Sequence, residues 1–172
     1  MLCVIGKIDT HTREALWQAQ GAVEEFGLKR RPLYGHVTLA TFVDGDEAEM
    51  MRECTAALKG EHSVNIEYEK IAELDETYII VALLKKSEEL QALQKKAVGD
   101  FDRNLDRWTH SANWTPHTTL AHHPGMYLEP VCKTMQAQFT KVKGKIKRIE
   151  FSKVLSDGYE IVGGFDLEDY KD

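Results

Sequence analysis

Two hexapeptides, GHVTLA at residues 35–40 and PHTTLA at residues 116–121, say nearly the same thing twice: His, any residue, Thr, Leu, Ala. Their histidines, His36 and His117, stand 81 residues apart, about half of a 172-residue chain. Both stretches read as strands, and on a strand residues i and i+2 share a face. His36 therefore projects with Thr38, and His117 with Thr119. An imidazole exchanges a proton near neutrality, with an unperturbed pKa of about 6.5, and a hydroxyl donates to a phosphate oxygen without adding charge. Two such pairs facing one another form a clamp, with two hydroxyls on an anion and two imidazoles on opposite sides of it. That geometry suits in-line displacement at phosphorus: one imidazole deprotonates the attacking oxygen and the other protonates the leaving oxygen. Nothing in it requires a metal, a nucleotide cofactor or a covalent intermediate. A single His-x-Thr on a strand is common and is more often structural. A duplicated pair kept by structure alone needs two sets of buried partners.

The rest of the chain repeats in the same rhythm. LCVIGKI reads as a buried strand, and residues 11–26 as a helix with Leu16, Ala19, Val23 and Phe26 inward and Gly27 at its end. After the first motif strand, Asp44 or Asp46 caps a helix over 47–59, with Met50 or Met51, Cys54 and Leu58 inward and Gly60 as its stop. SVNIEYEKI alternates like a half-buried strand. The series then restarts. TYIIVALL is a strand, and Ser87 opens a helix whose stripe runs Leu90, Leu93, Ala97, Phe101, Leu105 and Trp108. HTTLAHH is a strand, 128–142 a helix and 145–155 a strand. Asp157-Gly158 turns the chain into a last strand carrying Tyr159, Ile161, Phe165 and Leu167.

This order predicts an α+β protein built by internal duplication: a bilobal, pseudo-twofold fold with mostly antiparallel sheets facing each other across a cleft and helices outside. The repeats cover roughly 1–74 and 75–172, and with no Pro-, Gly- or Ser-rich linker between them they pack as a single domain over 1–172.

Composition narrows the class. The chain is 42% hydrophobic and 29% charged, ordinary for a soluble domain. No apolar run is long enough to span a membrane, and MLCVIGKI lacks the basic leader of a signal peptide, so a cytoplasmic location is expected. Cys3, Cys54 and Cys132 are scattered and unpaired in pattern, as free thiols are. A net charge of -6 argues against tight, non-specific binding to long nucleic acid but leaves room for a local basic site for a phosphate or RNA end. Basic residues cluster at Lys29, Arg30 and Arg31. They cluster again at Lys141, Lys143, Lys145, Lys147 and Arg148, where alternate lysines read as the solvated face of a strand.

The residues YGHVTLA and WTPHTTLA resemble the paired signatures of the 2H phosphoesterase superfamily, which includes the bacterial 2′-5′ RNA ligase/cyclic phosphodiesterases. The resemblance implies a bilobal, pseudo-symmetric fold and cleavage, or reversible formation, of 2′-linked phosphodiesters without metal or cofactor. It implies His36 and His117 as the proton-transfer pair and Thr38 and Thr119 as phosphate binders. By analogy His117 is the base and His36 the acid, although the symmetry leaves the roles interchangeable. The partner is then a small 2′,3′-cyclic nucleotide or an RNA terminus, bound by a monomer.

Several features lie outside the pattern. The second motif runs on into His122 and His123; on an unbroken strand His123 shares the face of His117 and Thr119, where it is either a substrate contact at the rim or, the commoner case, a solvated strand end, while His122 points away. The three histidines lack the spacing of a helical zinc motif, and PHTTLAHHPG contains no acidic residue. Tyr34 and Trp114 flank the motifs, either as surfaces for stacking a base or as filling between loop and core. Pro116 fixes the entry into its strand. His110 stands in a polar loop that can border the cleft, while His11 and His62 read as surface residues. Two other classes stay open: a phosphate- or nucleotide-binding module without turnover, and a metal-dependent hydrolase using residues 117–123.

Overall fold

Capping and turn chemistry set the first elements. Strand β1 (Leu2–Ile8) runs into Asp9, whose carboxylate accepts from the Thr12 backbone N–H at 2.8 Å and so caps helix α1 (Thr10–Gln20). At Gly21 the helix tightens into a 3₁₀ turn over Gly21–Phe26, which ends at Gly27 with φ 72°. The break comes where a side chain is missing and the Arg30 guanidinium packs into the space a Cβ would take. Phe26, expected inward, is exposed as a result of that break.

The computed structural model describes residues 1–74, 78–156 and 158–169. Strand β2 (His36–Phe42) leads to helix α2 (Glu47–Leu58), capped by Asp46, with Met50, Cys54 and Leu58 buried. Strands β3 (Val64–Leu74) and β4 (Ile79–Leu84) follow, and Ser87 caps helix α3 (Glu88–Val98). Then come β5 (His117–His122), α4 (Glu129–Gln138), β6 (Val142–Leu155) and β7 (Gly158–Asp166). Asp157, half of the expected turn signal, lies outside the described residues, as does Thr77 at the start of the expected TYIIVALL strand.

Two further expectations about helices need correction. The stripe from Leu90 to Trp108 is not one helix: α3 stops at Val98 because Gly99 adopts φ 57°, and Phe101, Leu105 and Trp108 belong to irregular chain. Helix α4 ends at Gln138 rather than 142, because Val142 pairs with Tyr68 and opens the strand β6.

All seven strands join one antiparallel sheet in the order β2-β1-β6-β3-β4-β5, with β7 also on β6. Strand β6 is shared: Val142–Ile146 pairs with β3, Ile146–Lys153 with β1, and Arg148–Leu155 with β7. The halves repeat each other in space as well as in order. Helix α1 packs on α4, β5 and β6, while α3 packs on α2, β2 and β3. The two ends of the sheet, β2 and β5, come together, so the duplicated motifs become neighbours. Leu2, Leu16, Leu39, Tyr68 and Leu90 are among the fully buried side chains of the common core.

Candidate active site

Both motif strands carry a bulge at the same place. On β2, Ile5 pairs with Thr38 and Val4 with Ala40, leaving Leu39 as the extra residue. On β5, Val81 pairs with Thr119 and Ile80 with Ala121, leaving Leu120 extra. A bulge re-phases the alternation of side chains. His36, Thr38 and Thr41 therefore share one face of β2, and His117, Thr119 and His122 share one face of β5. Contrary to the unbroken-strand reading, His122 rather than His123 joins the motif face, and His123 follows the end of β5.

The entries to the motifs are equivalent despite different residues. The Ile8 N–H donates to the Gly35 carbonyl at 3.1 Å, and the Leu84 N–H to the Pro116 carbonyl at 3.0 Å. Gly35 has φ 73°, and a Cβ there would lie 2.8 Å from Arg13 Cγ, so that position requires glycine.

Hydrogen bonds tie the strands across the seam. The Thr118 hydroxyl donates to the His36 carbonyl at 2.8 Å, and the Tyr68 hydroxyl lies 2.6 Å from Thr118 Oγ1. Because the threonine proton is committed to the carbonyl, Tyr68 is the donor in that second bond. The Trp114 indole N–H donates to the Thr38 carbonyl at 2.9 Å. Replacing Thr118 by Val leaves the Tyr68 hydroxyl and the His36 carbonyl without these partners. That loss is expected to cost about 1–3 kcal/mol of stability by urea unfolding, whereas Thr118→Ser stays near wild type.

The motifs are similar, but their surroundings are not. Across the sheet from His36 stand Lys7 and then Arg148, while His117 pairs with Leu83. The Tyr34 hydroxyl donates to Glu150 Oε2 at 2.5 Å, Arg148 Nε donates to Glu150 Oε1 at 3.0 Å, and Lys7 Nζ sits 3.8 Å from the centre of the Tyr34 ring. Burial, then the facing His117, lowers the His36 pKa to about 4; Glu150 opposes this and Lys7 adds to it. His117 is also lowered by burial, partly offset by its Nδ1 contact with the Thr115 carbonyl at 2.7 Å. A carbonyl only accepts, so Nδ1 carries the proton and Nε2 of the neutral ring keeps its lone pair.

Two cavities meet this seam, each combining a histidine of one motif with a threonine of the other. The larger, about 700 Å³, is lined by His117 and Thr38 with Asp106, Trp108, Asn113 and Trp114. The smaller, about 310 Å³, is lined by His36 and Thr119 with Tyr34, His122, His123 and Tyr159. All seven sequence-predicted site residues thus line one cavity or the other.

Their exposures differ. The Trp114 ring is 4% exposed and its N–H is spent, so it fills a junction, while Trp108 presents an open ring, 54% exposed, with the Arg107 guanidinium over it. His110 lines neither cavity. Among the described residues no three His, Cys, Asp or Glu side chains are gathered as a metal site needs. Sequence reasoning missed Lys7, Glu150, Tyr68 and Trp108. The first three are placed by strand register and carry no local motif, while the exposure of Trp108 follows from the early end of α3.

A seven-stranded antiparallel α+β fold that brings two His-x-Thr motifs together is the architecture of the two-histidine phosphoesterases. The chain belongs to the 2′-5′ RNA ligase superfamily, whose pattern it matches over residues 12–158. Similar solved structures share the fold at low identity. TT0787 of Thermus thermophilus matches with a TM-score of 0.64 and 18% identity over 96% of each chain. E. coli LigT complexed with 3′-AMP matches with a TM-score of 0.58 and 11% identity over 98% of this chain and 97% of its own. LigT complexed with phosphate matches with a TM-score of 0.54 and 11% identity over 96% of each chain. No curated protein sequence matches the chain. No helix among the described residues is long and apolar enough to cross a membrane.

Proposed function

We propose that this protein is a metal-independent phosphodiesterase acting on 2′,3′-cyclic or 2′-5′ phosphodiesters of nucleotides or RNA ends, with the reverse ligation available to the same groups. The observation that carries the reading is the crossed pairing of His117 with Thr38 and of His36 with Thr119 around one seam. Thr38 and Thr119 donate to the non-bridging phosphate oxygens. His117, with Nδ1 held by Thr115, accepts the proton of the attacking water at Nε2 as the new P–O bond forms. The P–O bond to the ribose oxygen breaks, and His36 gives that oxygen its proton. Glu150 offsets part of the lowering that burial and His117 impose on His36, and the acid role of His36 and base role of His117 follow the family resemblance. The nucleotide and phosphate held by the LigT structures support a ligand of this class.

The test is hydrolysis of 2′,3′-cyclic AMP, and of a short RNA ending in a 2′,3′-cyclic phosphate, with chelator present. Turnover of either is expected to survive the chelator. Loss of turnover on chelation would favour a metal-dependent hydrolase. Tight binding of both with no turnover would favour a binding module.

A further inference from the structure

The basic run Lys29-Arg30-Arg31 has a divided fate. Arg30 turns inward, stacking over Trp17 at 4.1 Å and pairing with Glu24 at 3.2 Å. Lys29 and Arg31 are exposed, line the cavity of about 310 Å³ beside His36 and Thr119, and have no ion-pair partner among the described residues. His122 and His123 line the same cavity, and no carboxylate among the described residues lines it. In a chain of net charge -6 this is a local reversal of sign, placed against the reaction centre. The larger cavity differs: it holds Asp106 and the open Trp108 ring.

We propose that the smaller cavity is a subsite for a second phosphate of the substrate, one linkage away from the phosphorus that reacts. This rests on the phosphodiesterase reading above. Thr119 and His36 belong both to the reacting clamp and to the wall of this cavity, so an adjacent phosphate of the same molecule falls among Lys29, Arg31 and the two histidines. A 2′,3′-cyclic ribose has used its 2′ and 3′ oxygens, which leaves O5′ to carry that phosphate. The substrate class is therefore a 5′-phosphorylated cyclic nucleotide or the last unit of an RNA strand, rather than a bare cyclic nucleoside phosphate. Charge-assisted bonds from Lys29 and Arg31 supply the preference. Their exposure makes it weaken as salt rises.

The test measures binding of adenosine 3′,5′-bisphosphate and adenosine 3′-monophosphate by calorimetry at low salt. It uses wild type, Lys29→Gln/Arg31→Gln, and a charge-matched control, Lys141→Gln/Lys143→Gln, on exposed residues far along the chain. Wild type and the control are expected to favour the bisphosphate by about ten- to a hundred-fold, the size of one or two charged hydrogen bonds. In Lys29→Gln/Arg31→Gln the ratio is expected to fall to about one, with circular dichroism confirming the fold. Equal affinities in wild type overturn the subsite, as does a preference that survives in Lys29→Gln/Arg31→Gln or is lost equally in the control. Failure of the bisphosphate to bind overturns it too. The phosphodiesterase reading falls separately, if the cyclic substrates are not turned over.

Discussion

Replacing either His36 or His117 by Gln is expected to reduce turnover of a 2′,3′-cyclic phosphodiester by about 10²–10⁴-fold, the range for removing one general acid or base. Glutamine keeps volume and hydrogen bonding but transfers no proton. The double variant is expected to lose little more than either single one, because the pair acts as a unit. A single variant within a few-fold of wild type would remove that histidine from proton transfer. The pH profile gives an independent reading. Productive chemistry needs one ring protonated and the other neutral, and both are lowered, His36 to about 4. The singly protonated pair is therefore most populated below pH 6.5, and kcat/KM of the free protein is expected to peak there and fall about tenfold per unit on the alkaline side. A profile peaking above pH 8 would contradict this arrangement. Stability carries the same sign: the unfolded chain protonates His36 near pH 6.5 while the folded chain resists until about pH 4. Stability due to His36 is thus full above pH 6.5 and is lost as pH falls toward 4, a loss His36→Gln removes.

Trp114→Ala is expected to destabilise the protein by about 3–5 kcal/mol, a large share of the roughly 5–15 kcal/mol typical of a domain. The ring is 4% exposed, packed in the core cluster, and its N–H donates to the Thr38 carbonyl. Trp114→Phe keeps most of the packing and loses that one bond, about 1 kcal/mol. Because the bond holds the backbone of a clamp threonine, Trp114→Phe is also expected to lower kcat more than it raises KM. Urea unfolding of both variants checks the first part and steady-state kinetics the second. A stable Trp114→Ala with weakened substrate binding would instead make the ring a stacking surface.

Much of the fold is legible in the chain because its signals are local. Asp46 and Ser87 begin helices through side-chain caps, Gly27 ends one by adopting positive φ, and the alternation in 64–68 marks a strand wherever it is packed. The repeated His-x-Thr-Leu-Ala is local too, and the proposed chemistry rests on it because proton transfer at phosphorus uses such groups on one face. Reading α3 through to Trp108 failed for a related reason. Apolar spacing at helical period continues past Gly99, but a backbone in the left-handed region stops the helix whatever the spacing says.

By itself, then, the sequence marked most of the elements, their duplicated order and the four residues proposed for the clamp. Only the tertiary structure decided what surrounds that clamp. The bulges at Leu39 and Leu120 depend on partner strands β1 and β4, and they alone exchange His122 for His123 on the motif face. Lys7 and Glu150 act on His36 because β2 pairs with β1 and β1 with β6, across more than a hundred residues of chain. Trp114 and Trp108 trade places, one buried and one open, according to which wall each loop packs against. Register and burial are properties of pairs of distant segments, so no single segment can state them.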